Sequence, residues 1–197
     1  MPGKPAGRVG ELGLACMEEI SAMAIMAQLK DKAPSRMMGS RMMGEAEPAK
    51  KLGMVLEDFS VGDHFSGGAY PVSVDSIKSF AREFDPQPFH TDEEAAVGTF
   101  FGGLAASGWH TAAMTMRLLA EFGPHVAGGL IGGSCEVAWP QPTRPGDVLH
   151  VECEILSVTP SRSRPERGSV LMRTETKNQR GEVLQVLTAK LVVPRRK

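Results

Sequence analysis

The chain divides by pattern before it divides by motif. From residue 56 onward the apolar positions follow periods that ordinary secondary structure explains. Residues 56–63 read as a lead-in with a turn at Gly62-Asp63, and a short strand is predicted near 68–72. Ser73 or Asp75 caps a helix whose apolar positions, Ile77, Phe80, Ala81 and Phe84, recur at helical spacing. That helix ends by Asp85, because the residue before Pro86 is pushed out of the α region. Pro88 prolongs an irregular segment, after which Thr91-Asp92-Glu93-Glu94 has the spacing of a capping box and opens a short helix through Ala96. Phe100-Phe101-Gly102-Gly103 is a loop. Ser107 N-caps a longer helix from Gly108 to Phe122 with an apolar flank of Ala112, Ala113, Met116, Leu119 and Ala120, and Gly123-Pro124 ends it.

Only strand signals follow, near 130–137, 148–156, 170–177 and 183–193, with turns at Pro145-Gly146-Asp147 and at residues 178–181. One strand, then helices, then four strands predicts an α+β domain with an antiparallel sheet rather than an alternating βαβ fold.

The first fifty residues have a different texture. Leu12, Cys16, Ile20, Met23, Ala24 and Ala27 fit a helix, whereas the repeated Ser35-Arg36-Met37-Met38-Gly39-Ser40-Arg41-Met42-Met43-Gly44 has no core-forming period. Nine of the twelve Met lie in residues 1–54, and the single Tyr and both Trp lie beyond residue 69. Residues 1–54 are therefore expected to be an N-terminal extension, helical or disordered, separable from a domain at 55–197. An upstream start is another reading, since Met43 and Met54 are both available. The uncharged run at 20–29 is too short to span a bilayer, which takes about 20 residues. Glu11, Glu18 and Glu19 stand where a basic leader segment would lie.

Composition narrows the function classes. A net charge of −1 gives no electrostatic reason to expect nucleic-acid or membrane binding. Cys16, Cys135 and Cys153 are an odd number without a CxxC, which argues against a disulfide-stapled secreted domain or a Cys-rich zinc site and fits a cytoplasmic setting. His64, His125 and His150 are dispersed, so no metal site is expected. Gly128–Gly133 lacks the strand-before, helix-after context of a phosphate loop. Arg162, Arg164 and Arg167 lie in a Pro- and Ser-rich hairpin connection, where they either meet solvent or approach a phosphate.

Chemistry concentrates between residues 84 and 110. Asp85 and His90 sit five residues apart on a proline-stiffened loop. Such a pair can converge on a water and move its proton; equally, Asp85 can simply end one helix and His90 precede the next. Ala106-Ser107-Gly108-Trp109-His110 opens the long helix, whose first N–H groups are unpaired and lie at the positive end of the dipole. Gly108 would let a ligand approach that backbone, although plain N-capping by Ser107 explains the same residues. His110 either borders this site or is a helix-face histidine with a local partner.

Taken together, residues from about 56 to 122 resemble the MaoC-like dehydratase family, the hot-dog-fold (R)-specific enoyl-CoA hydratases. Their motif, Asp-x-Asn-Pro-Leu-His-x-Asp, is matched by Asp85-Pro86-Gln87-Pro88-Phe89-His90-Thr91-Asp92. Phe101-Gly102-Gly103, Ser107-Gly108 and the later Thr143-Arg144-Pro145-Gly146-Asp147 follow in the family's order. The resemblance implies a single hot-dog domain, a curved antiparallel sheet around the central helix. It also implies a homodimer or larger assembly, since about 140 residues suffice for one such unit only. The implied activity is reversible addition of water to a trans-2-enoyl-CoA, giving a (R)-3-hydroxyacyl-CoA, with coenzyme A entering only as part of the substrate. Asp85 and His90 would hold the water and share its proton, and Gly108 would contact the thioester oxygen. Gln87, Phe89, Ser107 and Gly103 would line the substrate. Gln87 replaces the family's Asn and Phe89 its Leu. Those departures keep two alternatives in view, an acyl-CoA thioesterase and a non-catalytic acyl-thioester-binding protein.

Overall fold

A computed structural model of the chain describes residues 53–197; the predicted helix at 12–27 and the Met-rich repeat lie outside the described residues. After a 3-10 turn at Leu56–Asp58 come β1 (His64–Pro71), α1 (Val74–Phe84), α2 (Pro88–Thr91), α3 (Glu93–Val97) and α4 (Gly108–Phe122). Four strands close the chain: β2 (Ile131–Ala138), β3 (Val148–Pro160), β4 (Arg167–Lys177) and β5 (Val183–Pro194). All pairings are antiparallel in the order β1-β3-β4-β5-β2, which leaves β1 and β2 at the edges. This is the expected α+β hot-dog arrangement, with α4 packed on one face of the sheet.

The sheet's core face is built by alternation. Leu149, Val151, Cys153 and Ile155 of β3 point inward, as do Val170 and Met172 of β4 and Leu191 and Val193 of β5. From α4 come Met114, Leu118 and Leu119, and from α1 come Ile77 and Ala81. Each fully buried aliphatic side chain contributes roughly 1.5–3 kcal/mol of transfer free energy. Gly68 allows α4 to approach β1. Its φ is +108°, and a Cβ there would lie 2.5 Å from Leu118 Cδ2, so a side chain at this bulge would meet both strain and a clash.

Several local expectations change. β1 begins at His64, four residues before the predicted strand, because Ser66, Gly67 and Gly68 erase the alternation that marks a strand in sequence. Ser73, not Asp75, caps α1. Its Oγ accepts from Ser76 N at 3.1 Å, and Ser76 Oγ accepts in return from Ser73 N at 3.3 Å. Phe84 leaves the core side of α1 and is exposed, resting against Phe80 with ring centroids 4.9 Å apart. The irregular segment at Pro88 is instead one helical turn, with proline at the first position, where its missing N–H costs nothing. The predicted capping box gives way to a simple side-chain cap one residue later. Thr91 Oγ1 donates back to Gln87 O, so Asp92 caps α3 by accepting from Glu94 N and Ala95 N.

The largest revision concerns α4. Its ends fall where predicted, but its buried stripe is His110, Thr111, Met114, Thr115, Leu118 and Leu119. Of the predicted apolar flank only Leu119 is buried, while Ala113, Met116 and Ala120 are exposed and Ala112 is half-buried. Inward-facing threonines explain the rotation. Thr115 Oγ1 bonds Thr176 Oγ1 at 2.7 Å and accepts from Gln185 Nε2 at 3.0 Å, and Thr111 Oγ1 bonds Thr143 Oγ1 at 2.9 Å. Polar side chains that find partners inside can occupy a core face that hydrophobicity alone assigns elsewhere.

Candidate active site

Two short backbone bonds bring the motif loop to the head of α4. Ala105 N donates to Phe89 O at 3.2 Å, and Ala106 N donates to Thr143 O at 2.9 Å. The segment before α4 is thus held between the turn carrying His90 and the loop leading to β3. His90 is buried, and its Nδ1 lies 2.7 Å from Ala105 O. A carbonyl only accepts, so Nδ1 carries a hydrogen and Nε2 is the ring nitrogen left to face Asp85. Nε2 faces Asp85 Oδ2 at 3.5 Å. A carboxylate oxygen and a ring nitrogen facing each other at that separation suit a water bound between them.

Asp85 is oriented from its other oxygen, Oδ1, which accepts from Gln87 Nε2 at 2.7 Å. Partial burial raises the carboxyl pKa, but the Ser107 hydroxyl, the Gln87 amide and the neighbouring His90 together outweigh it and hold the group below its ordinary value. Asp85 is therefore ionised near neutral pH. Ser107 is buried and caps α4, its Oγ accepting from Trp109 N at 3.2 Å.

Beside this pair lies a cavity of about 370 Å³ whose walls include His90, Gly108, Thr111 and Trp139, with Phe100 and Phe101 on another side. Gly108, the first residue of α4, brings the helix's positive end to the cavity. The other proposed contact residues lie around it rather than on its walls. Phe89 packs edge-on to His90 at 4.5 Å and against Phe101 at 5.0 Å, supporting the imidazole from behind. Gln87 is exposed and acts on Asp85. Gly103 presents its carbonyl to Arg144.

Two residues that the sequence did not single out shape the site. Arg144 Nη1 donates to Gly103 O at 2.7 Å and to Leu104 O at 3.0 Å, and Nη2 donates to Phe101 O, so one guanidinium ties down three carbonyls of the loop. Its place in the Thr143–Asp147 motif was the available signal. Trp139 directly follows β2, and its indole covers Gly108. No spacing rule pointed to it.

His110 does not join the cavity. It is buried, stacked on Phe80 at 4.6 Å, and its Nδ1 has no partner among the described residues; burial pushes its pKa down. Arg162, Arg164 and Arg167 do not line the cavity either. Among the described residues no three His, Cys, Asp or Glu side chains converge on a common point. No helix among them is long and apolar enough to cross a membrane.

Fold and site together define a hot-dog protein with an Asp–His pair at the head of its central helix. The MaoC like domain matches residues 59–178. The chain belongs to the MaoC-like dehydratase family. It is 36% identical over 129 residues to the uncharacterized protein YdeM of Bacillus subtilis, covering 64% of this chain and 89% of that one. A MaoC-like dehydratase from Rhodospirillum rubrum superposes with a TM-score of 0.72 at 59% identity, over 74% of this chain and 99% of the other. The R-hydratase PhaJ1 from Pseudomonas aeruginosa shares the fold, with a TM-score of 0.58 at 23% identity over 73% and 88% of the two chains.

Proposed function

We propose that the chain adds water reversibly to a trans-2-enoyl-CoA, giving a (R)-3-hydroxyacyl-CoA. The observation that carries this reading is the 3.5 Å approach of Asp85 Oδ2 to His90 Nε2 beside the first turn of α4. In this reading the thioester oxygen rests at the Gly108 N–H. The oxygen of a water held by Asp85 and His90 forms a bond to C3, and the π electrons move towards C2 and the thioester oxygen. The water's proton passes to the Asp85–His90 pair, and a proton delivered to C2 completes the addition. Charge builds on the thioester oxygen in the transition state, where a fixed N–H donor is worth about 2.7–4 kcal/mol. An acid–base pair supplies about 10²–10⁴-fold more. Dehydration is the same path reversed.

The reading includes a homodimer. Every residue of β2 except Val137 is exposed, and Trp109, Met116 and Ile131 form an exposed apolar face along α4 and this edge strand. The outer edge of an edge strand beside such a face invites a second copy.

The test is to follow crotonyl-CoA by loss of enoyl absorbance while titrating free thiol. Hydration without thiol supports the proposal. Thiol release would favour a thioesterase, and neither signal would favour a binding protein.

A further inference from the structure

The cavity beside Gly108 and a second, apolar groove between α4 and β2 are separated by two tryptophans. Trp139 lines the cavity and Trp109 lines the groove, and their rings meet edge to face with centroids 5.5 Å apart. The groove has a volume of about 300 Å³ and reaches Met172, Leu187 and Leu191 of the sheet. It would accommodate a hydrocarbon chain, but the indoles stand between it and the reacting position.

Trp139 is not free to swing aside. Its Nε1 donates to Gln185 Oε1 at 2.8 Å, and the buried Gln185 is fixed in turn by Nε2 donating to Thr115 Oγ1 at 3.0 Å. Turning the indole would leave a buried amide oxygen unpaired, which costs about 1–3 kcal/mol. On its other side the ring rests on the start of α4. A Cβ added at Gly108 would lie 2.8 Å from Trp139 Cε2 and 2.9 Å from Cδ2. The indole therefore packs directly on the first residue of α4, where it also lines the cavity.

We infer that Trp139, held by Gln185, is the wall that ends the acyl pocket, so that this site selects short enoyl thioesters. The inference rests on the thioester reading given above. One end of a bound thioester must leave towards solvent to carry coenzyme A, and the side marked by the fully exposed Phe100 is open. The acyl end then runs towards the tryptophans, where a short chain fits and a longer one would have to displace the indole into the groove.

Binding of the unreactive butyryl-CoA and octanoyl-CoA, measured by calorimetry, tests the wall without requiring turnover. Wild-type protein should prefer butyryl-CoA at least tenfold. Trp139→Ala should shift the ratio at least tenfold towards octanoyl-CoA, and Trp139→Phe should fall between; Trp139 is 40% exposed, and thermal melting checks that both variants fold. With crotonyl-CoA and trans-2-octenoyl-CoA the kcat/KM ratio should move in the same direction. An unchanged ratio in the alanine variant overturns the inference. Equal weakening of both chain lengths also overturns it, because the indole would then contact the coenzyme side. If the binding ratio shifts while wild-type protein hydrates neither enoyl-CoA, the hydratase reading fails and the wall stands. If wild-type protein binds neither acyl-CoA, both fail.

Discussion

His90 donates from Nδ1 to the carbonyl of Ala105 across 2.7 Å, and this single bond fixes which ring nitrogen faces Asp85. Asp85→Asn keeps the shape of the pair but removes the anion, and His90→Ala removes the ring. Each should lower kcat for crotonyl-CoA hydration by about 10²–10⁴-fold. Activity within a few-fold of wild type in both would remove these residues from the mechanism. Since the folded environment lowers the Asp85 pKa, the loss of kcat/KM that belongs to its protonation should come only as pH falls below the ordinary value of an aspartate.

Gly108→Ala should damage the site through Trp139. The new methyl group meets the indole edge at 2.8–3.1 Å and must push it away, an overpacking cost of about 1–3 kcal/mol. In a Trp139→Ala background the same substitution should be nearly neutral for stability. Melting curves of the two single variants and the double variant measure that coupling.

Arg144→Met would strip three loop carbonyls of their donor while keeping much of the side chain's bulk. The expected loss is about 2 kcal/mol of stability, in the range of hydrogen bonds to a charged group. Amide exchange should rise first in residues 101–104, and uniform acceleration across the sheet would argue against a local anchor.

His110 gives the fold a dependence on acid. Its folded pKa lies below the ordinary histidine value of 6.5, so the unfolded chain takes up a proton that the folded chain resists. Stability should therefore fall as pH drops from about 6.5 towards the depressed folded value, and His110→Leu should flatten that slope. Urea midpoints across this interval measure the difference. Equal slopes in both proteins would exclude His110 as the source.

We propose that a chain beginning at Met54 keeps the activity. Met54 already ties the start of the domain to the segment after α4, its N–H donating to His125 O at 2.7 Å and its carbonyl accepting from Ala127 N at 2.9 Å. Comparable kcat/KM for the shortened and full-length chains is expected; a tenfold loss would give residues 1–53 a part in function.

Strands β2 to β5 and both ends of α4 could be read from the sequence because alternation and caps are local signals. β1 was partly hidden, since its glycines serve the approach of α4 and carry no pattern. The facing of α4 is not a local signal, because Thr111 and Thr115 become core residues only once Thr143, Thr176 and Gln185 are beside them. Asp85, His90 and Gly108 stood out through spacing and motif. Trp139 did not, because what makes it matter is contact with Gly108 and Gln185, across separations of thirty to fifty residues that no window spans.

The polar thread from Trp139 through Gln185 to Thr115 and Thr176 also limits how such a chain can diverge. Each member satisfies the next, so exchanging one alone for an aliphatic side chain strands a donor or acceptor in the core, whereas exchanging neighbouring partners together can be nearly neutral. A change of acyl preference made at Trp139 would release Gln185 as well. Paired substitution at 139 and 185 is then the short route between chains of different preference, with single steps passing through a less stable intermediate.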